Sequence, residues 1–126
     1  MIRPVKRILV VEDYYALADI ETLLCQMEGY EVKTAKTGEE GLELIDSYKP
    51  DLVILDLMLP GELSGTQVLQ KIRTDGQEEP KVLVVSALVN QTTAPELEKY
   101  VNVQALKKPF KVKDRASRVR TMVGPN

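Results

Sequence analysis

Six positions stand out because a chemically capable side chain ends or follows an apolar run. Glu12 and Asp13 follow "RILVV" (7–11), and Asp56 follows "DLVIL" (51–55). Ser86 closes "KVLVVS" (81–86), and Lys107-Lys108-Pro109 stands at the end of "VQALK" (103–107). Burying a lone carboxylate costs several kcal/mol, so Asp56 at the end of an aliphatic strand calls for a counter-charge. If the first and third runs are neighbours, three carboxylates meet in one crevice. They repel unless a cation sits among them. Mg²⁺ suits such a set, being a hard ion with oxygen ligands. A lysine supplies a point charge for an anion, and Ser86 supplies a hydroxyl. Metal, carboxylate, hydroxyl and lysine together make a phosphoryl-transfer site, where positioning and charge neutralisation do most of the chemistry. Each piece has a plainer reading. Glu12-Asp13 can be the polar start of a helix with Asp13 as its N-cap. Asp56 can be a loop residue before a Pro-Gly turn, and Lys107-Lys108 a solvated pair. Their joint placement at four strand ends favours the site.

The elements that must hold these groups read as five βα units. Short β-branched runs recur at 7–11, 31–35, 51–55, 81–86 and 103–107. Between them lie helical spacings. Leu17, Ile20, Leu23, Leu24 and Met27 fall on one face of 14–28, and Gly29 is a stop. Leu42, Leu44, Ile45 and Tyr48 form a stripe over 38–48, ended by Pro50. Val68, Leu69 and Ile72 repeat at three and four within 65–74, and Val112, Ala116, Val119 and Val123 give 111–123 its apolar face. Capping boxes are expected at Thr37 with Glu40, Ser64 with Gln67 and Thr93 with Glu96. Alternating strands and helices predict an α/β fold with a parallel sheet covered on both faces. The flavodoxin-like strand order 2-1-3-4-5 places ligands at the carboxyl ends of strands 1 and 3. No repeat, low-complexity tract or linker is visible, and "VGPN" reads as a helix stop. Residues 1–126 therefore read as a single domain, with any output domain absent or removed.

Composition narrows the chemistry. The chain has no histidine, which excludes Ser-His-Asp and Cys-His catalysis and any His-bearing metal site. The chain also cannot carry a phosphohistidine. Cys25 is the single cysteine, so no intramolecular disulfide forms. Net charge is −2, which points to no global nucleic-acid field. No signal peptide and no apolar run of about 20 residues is present, so a soluble cytoplasmic protein without a membrane segment is expected.

"ILVVED", "LVILDLMLPG", "VVSA" and "KKPF" together resemble the receiver domain of two-component response regulators, over essentially the whole chain. The resemblance implies that Asp56 is the phosphoacceptor, taking a phosphoryl group from a histidine kinase, a phosphotransfer protein or a small phosphodonor. It implies that Glu12, Asp13, Asp56 and the backbone carbonyl of Met58 hold Mg²⁺. Ser86 would bind a phosphoryl oxygen, Lys108 would pair with the phosphoryl group, and the bond before Pro109 would be cis. Such a domain assists its own phosphorylation and dephosphorylation but turns over no separate substrate.

Four departures from the family pattern matter. Ala105 stands where an aromatic usually reads out the switch, which shifts weight to the 87–102 segment. Met58 and Leu88 are apolar where the family influences the hydrolytic water, which predicts slow self-dephosphorylation. "PGELSG" is one residue longer than usual. Gly41 replaces a common alanine inside the second helix, at a cost of roughly 1 kcal/mol.

Seven of the 17 basic residues lie between 107 and 120: Lys107, Lys108, Lys111, Lys113, Arg115, Arg118 and Arg120. No aromatic platform accompanies them, so direct nucleic-acid binding by this domain is not expected. A solvated helix face accounts for several. "KPFKVKDRASRVR" is also similar to the last helix of receivers joined to winged-helix transcription factors. That resemblance implies a homodimer through helix 4, strand 5 and helix 5, with Asp114, Arg118, Glu96 and Glu98 as candidate charges and Arg115 in place of a leucine. Sedimentation with and without a phosphoryl mimic reads this directly. The competing functional reading is a pseudo-receiver, an interaction module that is never phosphorylated. A flavin protein of similar topology is disfavoured, because three carboxylates repel a flavin phosphate.

Overall fold

The computed structural model describes residues 5–124, apart from the side chain of residue 75. Five strands alternate with five helices: β1 (Arg7–Val11), α1 (Tyr15–Met27), β2 (Glu31–Ala35), α2 (Gly38–Tyr48), β3 (Leu52–Leu55), α3 (Gly65–Ile72), β4 (Lys81–Ser86), α4 (Thr93–Leu97), β5 (Val103–Lys107) and α5 (Val112–Val123). A 3-10 turn (Thr74–Gly76) follows α3. The sheet is parallel and ordered β2-β1-β3-β4-β5, as the alternation and the common switch-point topology predict.

Side chains alternate across the sheet, and the two faces divide the core. Leu9, Val11, Val53, Leu55, Val82 and Val84 pack with Val68, Leu69 and Ile72 of α3. Ile8, Val10, Leu52, Ile54, Leu83 and Val85 pack with Cys25 of α1 and Val119, Met122 and Val123 of α5. β3 is buried at every position, as expected for a central parallel strand. Gly41 has a packing reason: a Cβ there would lie 3.1 Å from Val11 Cγ2, so the missing methyl lets α2 approach β1.

The caps differ in detail from expectation. Ser64 and Gln67 form the full capping box. Thr37 accepts from Glu40 N, but the Glu40 carboxylate bonds Lys36 N at 2.7 Å. At α4 the expected Thr93 box does not form. Asn90 Oδ1 instead accepts from Thr92 N and Thr93 N, at 2.8 and 2.9 Å. An Asn side chain reaches its own downstream amides in this way whenever it precedes a turn. Gly124 ends α5 with φ +82°, while Pro125 and Asn126 lie outside the described residues.

The face of α1 is the largest correction. Ile20, Leu23 and Met27 are exposed, whereas Ala18, Glu21 and Cys25 are buried. Arg115 of α5 is the cause. It is fully buried and bonds Glu21 Oε1 and Glu28 Oε1, each at 2.5 Å, and it also contacts Cys25 Sγ. With a charged trio on the sheet side of α1, Ile20, Leu23 and Met27 face outward while Leu17 and Leu24 stay half-buried. The same contact corrects the α5 face, where Arg115 and Met122 are buried and Val112 is exposed.

Candidate functional site

The register of the strands assembles the site. Val11 lies opposite Leu55, so the next residues, Glu12 and Asp56, sit side by side at the carboxyl edge. Asp56 N donates to Val11 O at 3.1 Å and extends the ladder by one bond. Ser86 lies opposite Lys107, and Lys108 N donates to Ser86 O at 3.1 Å. The period of two then sorts the side chains. Glu12 and Asp56 share parity with Val10 and Ile54, and Lys108 with Leu106, all on the α1–α5 face.

Lys108 joins the two carboxylates. Its Nζ donates to Glu12 Oε1 at 2.6 Å and to Asp56 Oδ2 at 2.7 Å. Asp56 Oδ1 accepts from Met58 N at 2.9 Å, and Glu12 Oε2 accepts from Tyr14 N at 3.3 Å. Asp56 is 8% exposed and Glu12 6%. Charged groups so enclosed persist only when paired and hydrogen-bonded. Burial alone would raise the Asp56 pKa, but the Lys108 and Met58 hydrogen bonds, the Lys108 charge and a hydrogen bond with Ser86 outweigh it, so the pKa is lowered. Burial holds the Glu12 carboxyl above its ordinary range; the Lys108 hydrogen bond opposes the rise and the Asp56 charge adds to it. Burial would pull Lys108 down, but its bonds to Asp56 and Glu12 prevail and raise it. The net result is an ionised Asp56 held against an ammonium at the rim, with one carboxylate oxygen on a backbone N–H.

The remaining expected residues fall as follows. Ser86 is fully buried, and its Oγ accepts from Leu88 N at 3.2 Å. Lys107 is exposed, so only the second lysine of the pair enters the site. The Lys108-Pro109 bond is cis, as the resemblance implies. Asp13 is exposed beside the pair and not drawn into it; the N-cap of α1 is Tyr14, without a side-chain cap bond. Met58 and Leu88 present their side chains to solvent at the rim, 58% and 48% exposed. Their backbone amides hold Asp56 and Ser86, a role that residue type does not signal.

The carboxylates of Glu12, Asp13 and Asp56 would suit a hard divalent ion rather than a thiophilic one. Among the described residues no three acidic, histidine or cysteine side chains are already gathered about one point. Lys108 occupies the position between Glu12 and Asp56. The donor chemistry fits Mg²⁺, and Asp13 is the acid free to complete the set.

Three of the seven basic residues near the C-terminus are engaged inside the domain. Lys108 is in the site, Arg115 is buried, and Arg118 Nη1 bonds Gln104 Oε1 at 3.2 Å and Ala105 O at 3.4 Å. Glu98 Oε2 accepts from Ala105 N at 3.1 Å. Side chains of α5 and of the residue capping α4 therefore hold the backbone of Ala105, where no aromatic is present to bridge them.

An acidic pair and a lysine, with a buried hydroxyl beside them, thus stand at the switch point of a flavodoxin-like parallel sheet ordered 2-1-3-4-5. The family model for the response regulator receiver domain matches residues 8–120, and the chain belongs to that family. It is 34% identical over 121 residues to the DNA-binding response regulator MtrA of Mycobacterium leprae, covering 96% of this chain and 52% of MtrA. It is equally identical, over 119 residues, to RpaA of Synechocystis, a DNA-binding dual master transcriptional regulator, covering 93% of this chain and 48% of RpaA. The chain thus spans about half the length of these curated relatives. Among solved structures it is similar to the signal receiver domain of a putative LuxO repressor protein from Vibrio parahaemolyticus, with TM-score 0.85 and 30% identity over 95% of this chain and 91% of that one. It is also similar to the response regulator TrrA of Thermotoga maritima in complex with Mg²⁺ and BeF, with TM-score 0.80 and 32% identity over 93% of this chain and 98% of that one. Among the described residues no helix is long and apolar enough to cross a membrane.

Proposed function

We propose that this chain is a phosphorylation-switched receiver that accepts a phosphoryl group on Asp56. The observation that carries the reading is Lys108 Nζ bonded to both Asp56 and Glu12, with the Asp56 pKa lowered. An ionised carboxylate oxygen of Asp56 attacks phosphorus, the P–N bond of a phosphohistidine breaks, and the imidazole leaves with a proton. The chain has no histidine, so a phosphohistidine donor would lie on a sensor kinase or phosphotransfer partner. Lys108 would follow the charge from carboxylate to phosphoryl group, and Ser86 would offer its hydroxyl to a phosphoryl oxygen. Glu12, Asp13, Asp56 and the Met58 carbonyl would hold Mg²⁺, whose chemistry when bound is to neutralise charge on the transferring group. The Mg²⁺–BeF complex of TrrA, 32% identical, supports that assignment. On this reading the domain catalyses only its own modification. A homodimer through α4, β5 and α5 belongs to the same reading, and Glu98 and Arg118 would have to release Ala105 to reach a second copy.

Acetyl phosphate with Mg²⁺ is expected to add one phosphoryl mass to the whole protein. The adduct should be absent without Mg²⁺ and in Asp56→Asn. No adduct on the wild-type protein would favour the pseudo-receiver, which the missing aromatic at Ala105 otherwise supports.

The acyl phosphate should be long-lived. Met58 and Leu88 stand exposed at the rim, and neither side chain can orient a water by hydrogen bonding. With Mg²⁺ and no phosphatase, decay monitored by intact mass should run well beyond minutes. A lifetime of minutes or less contradicts this.

A further inference from the structure

We infer that Glu39, on α2, is a positioning residue for the phosphoacceptor loop, an inference that rests on the receiver reading above. Asp56 is followed by "LMLPGELSG" (57–65), the connection that leads from β3 into α3. A connection of this length has many conformations to lose on ordering. Both ends are tied. Met58 N donates to Asp56 Oδ1 at 2.9 Å, and at the far end Gly65 N donates to Leu57 O at 3.0 Å while Ser64 N donates to Gln67 Oε1 at 2.9 Å. The middle is held from another element. Glu39 Oε1 accepts from Leu63 N at 3.1 Å. Its second oxygen lies against Gly61, where φ is +90° and a Cβ would sit 3.3 Å from Glu39 Oε2. Gly61 thus provides both the left-handed turn and the space for the carboxylate.

Neither motif nor charge pattern marks Glu39, because its partner is a backbone N–H that any residue at 63 would supply. The clamp bears on the chemistry through Met58. That residue's amide is one of the two bonds on the Asp56 carboxylate besides Ser86, and its carbonyl is the backbone ligand proposed for Mg²⁺. A loose loop lets both wander without unfolding the sheet.

The test compares Glu39→Ala with Glu39→Gln, since glutamine keeps an acceptor at Oε1. Amide hydrogen exchange of the intact protein, read on peptides covering 57–64, should be roughly tenfold faster in Glu39→Ala and unchanged in Glu39→Gln, with sheet peptides unaffected in both. Calorimetric titration with Mg²⁺ should show half-saturation raised by about threefold to fivefold in Glu39→Ala alone, the factor one backbone hydrogen bond supports. Equal loop exchange in wild type and Glu39→Ala overturns the inference, as does Glu39→Gln exchanging as fast as Glu39→Ala. Neither readout needs phosphoryl transfer. A wild-type protein that takes no phosphoryl group from acetyl phosphate would remove the functional reading while leaving the ordering of the loop by Glu39 measurable.

Discussion

Replacing Arg115 with methionine is expected to destabilise the protein by about 3–5 kcal/mol, because it strands two carboxylates beside a buried face. For a domain of this size the melting temperature should fall on the order of 10 °C or more. Arg115 is fully buried, Glu21 is 7% exposed, and Glu21 Oε2 has no partner, so Arg115 is the charge that makes Glu21 tolerable there. Burial raises the Glu21 pKa, against the opposing charge and hydrogen bond of Arg115. The sign follows from proton counts. Above the unfolded value of 4.5 the folded protein holds a proton that the unfolded chain has lost, so stability falls as pH rises through the folded pKa. Without Arg115 the folded pKa rises further and the fall extends to higher pH. The cost of Arg115→Met should therefore grow in urea melts as pH rises above the unfolded value of 4.5. Adding Glu21→Leu and Glu28→Gln should recover most of the loss, since apolar replacements of buried ionic groups are often neutral. Burial pushes the Cys25 thiol pKa up to about 12, which keeps it protonated beside Arg115. An Arg115→Met protein that melts with wild type contradicts the idea that this trio anchors α1 to α5.

Gly65→Ala is expected to be comparably severe and to reach the site directly. A Cβ at Gly65 would lie 2.3 Å from Asp56 O and 2.4 Å from Leu57 Cα, both backbone atoms that cannot swing aside. The start of α3 is pressed against the peptide of Asp56 and Leu57, and Gly65 N donates to Leu57 O. Overpacking of this kind costs about 3 kcal/mol or more when backbone must move. The displacement falls on Asp56, so phosphoryl uptake should drop by roughly ten- to a hundredfold in the fraction that folds. Chemical denaturation and the initial rate of uptake, measured on the same sample, separate the two effects. A variant that folds and reacts like wild type would falsify the close approach.

Much of the frame could be read from residue type alone. The strands were legible because a buried parallel strand needs a continuous β-branched run, and the site because Asp56, Glu12 and Lys108 sit where those runs end. α1 was misread for a definite reason. Its heptad-like leucines imply a buried stripe, but one buried guanidinium 94 positions from Glu21 outweighs them by drawing in Glu21, Glu28 and Cys25. Pairings of that separation leave no local signal. The capping of α4 by Asn90 and the hold of Glu98 and Arg118 on Ala105 were hidden in another way, since each uses backbone groups that every residue carries. The same holds for the Met58 amide, whose hydrogen bond helps to lower the Asp56 pKa.

The central claim is that the carboxylate of Asp56, and no other group at this rim, becomes the acyl phosphate. Borohydride reduction tests it most directly. Protein treated with acetyl phosphate and Mg²⁺ is reduced, digested and sequenced by mass spectrometry; an aspartyl phosphate is converted to homoserine, whereas a free aspartate is untouched. The account predicts homoserine at position 56 alone, dependent on Mg²⁺. Homoserine at Asp13, a phosphoryl group retained on Ser86, or no reducible adduct would contradict it.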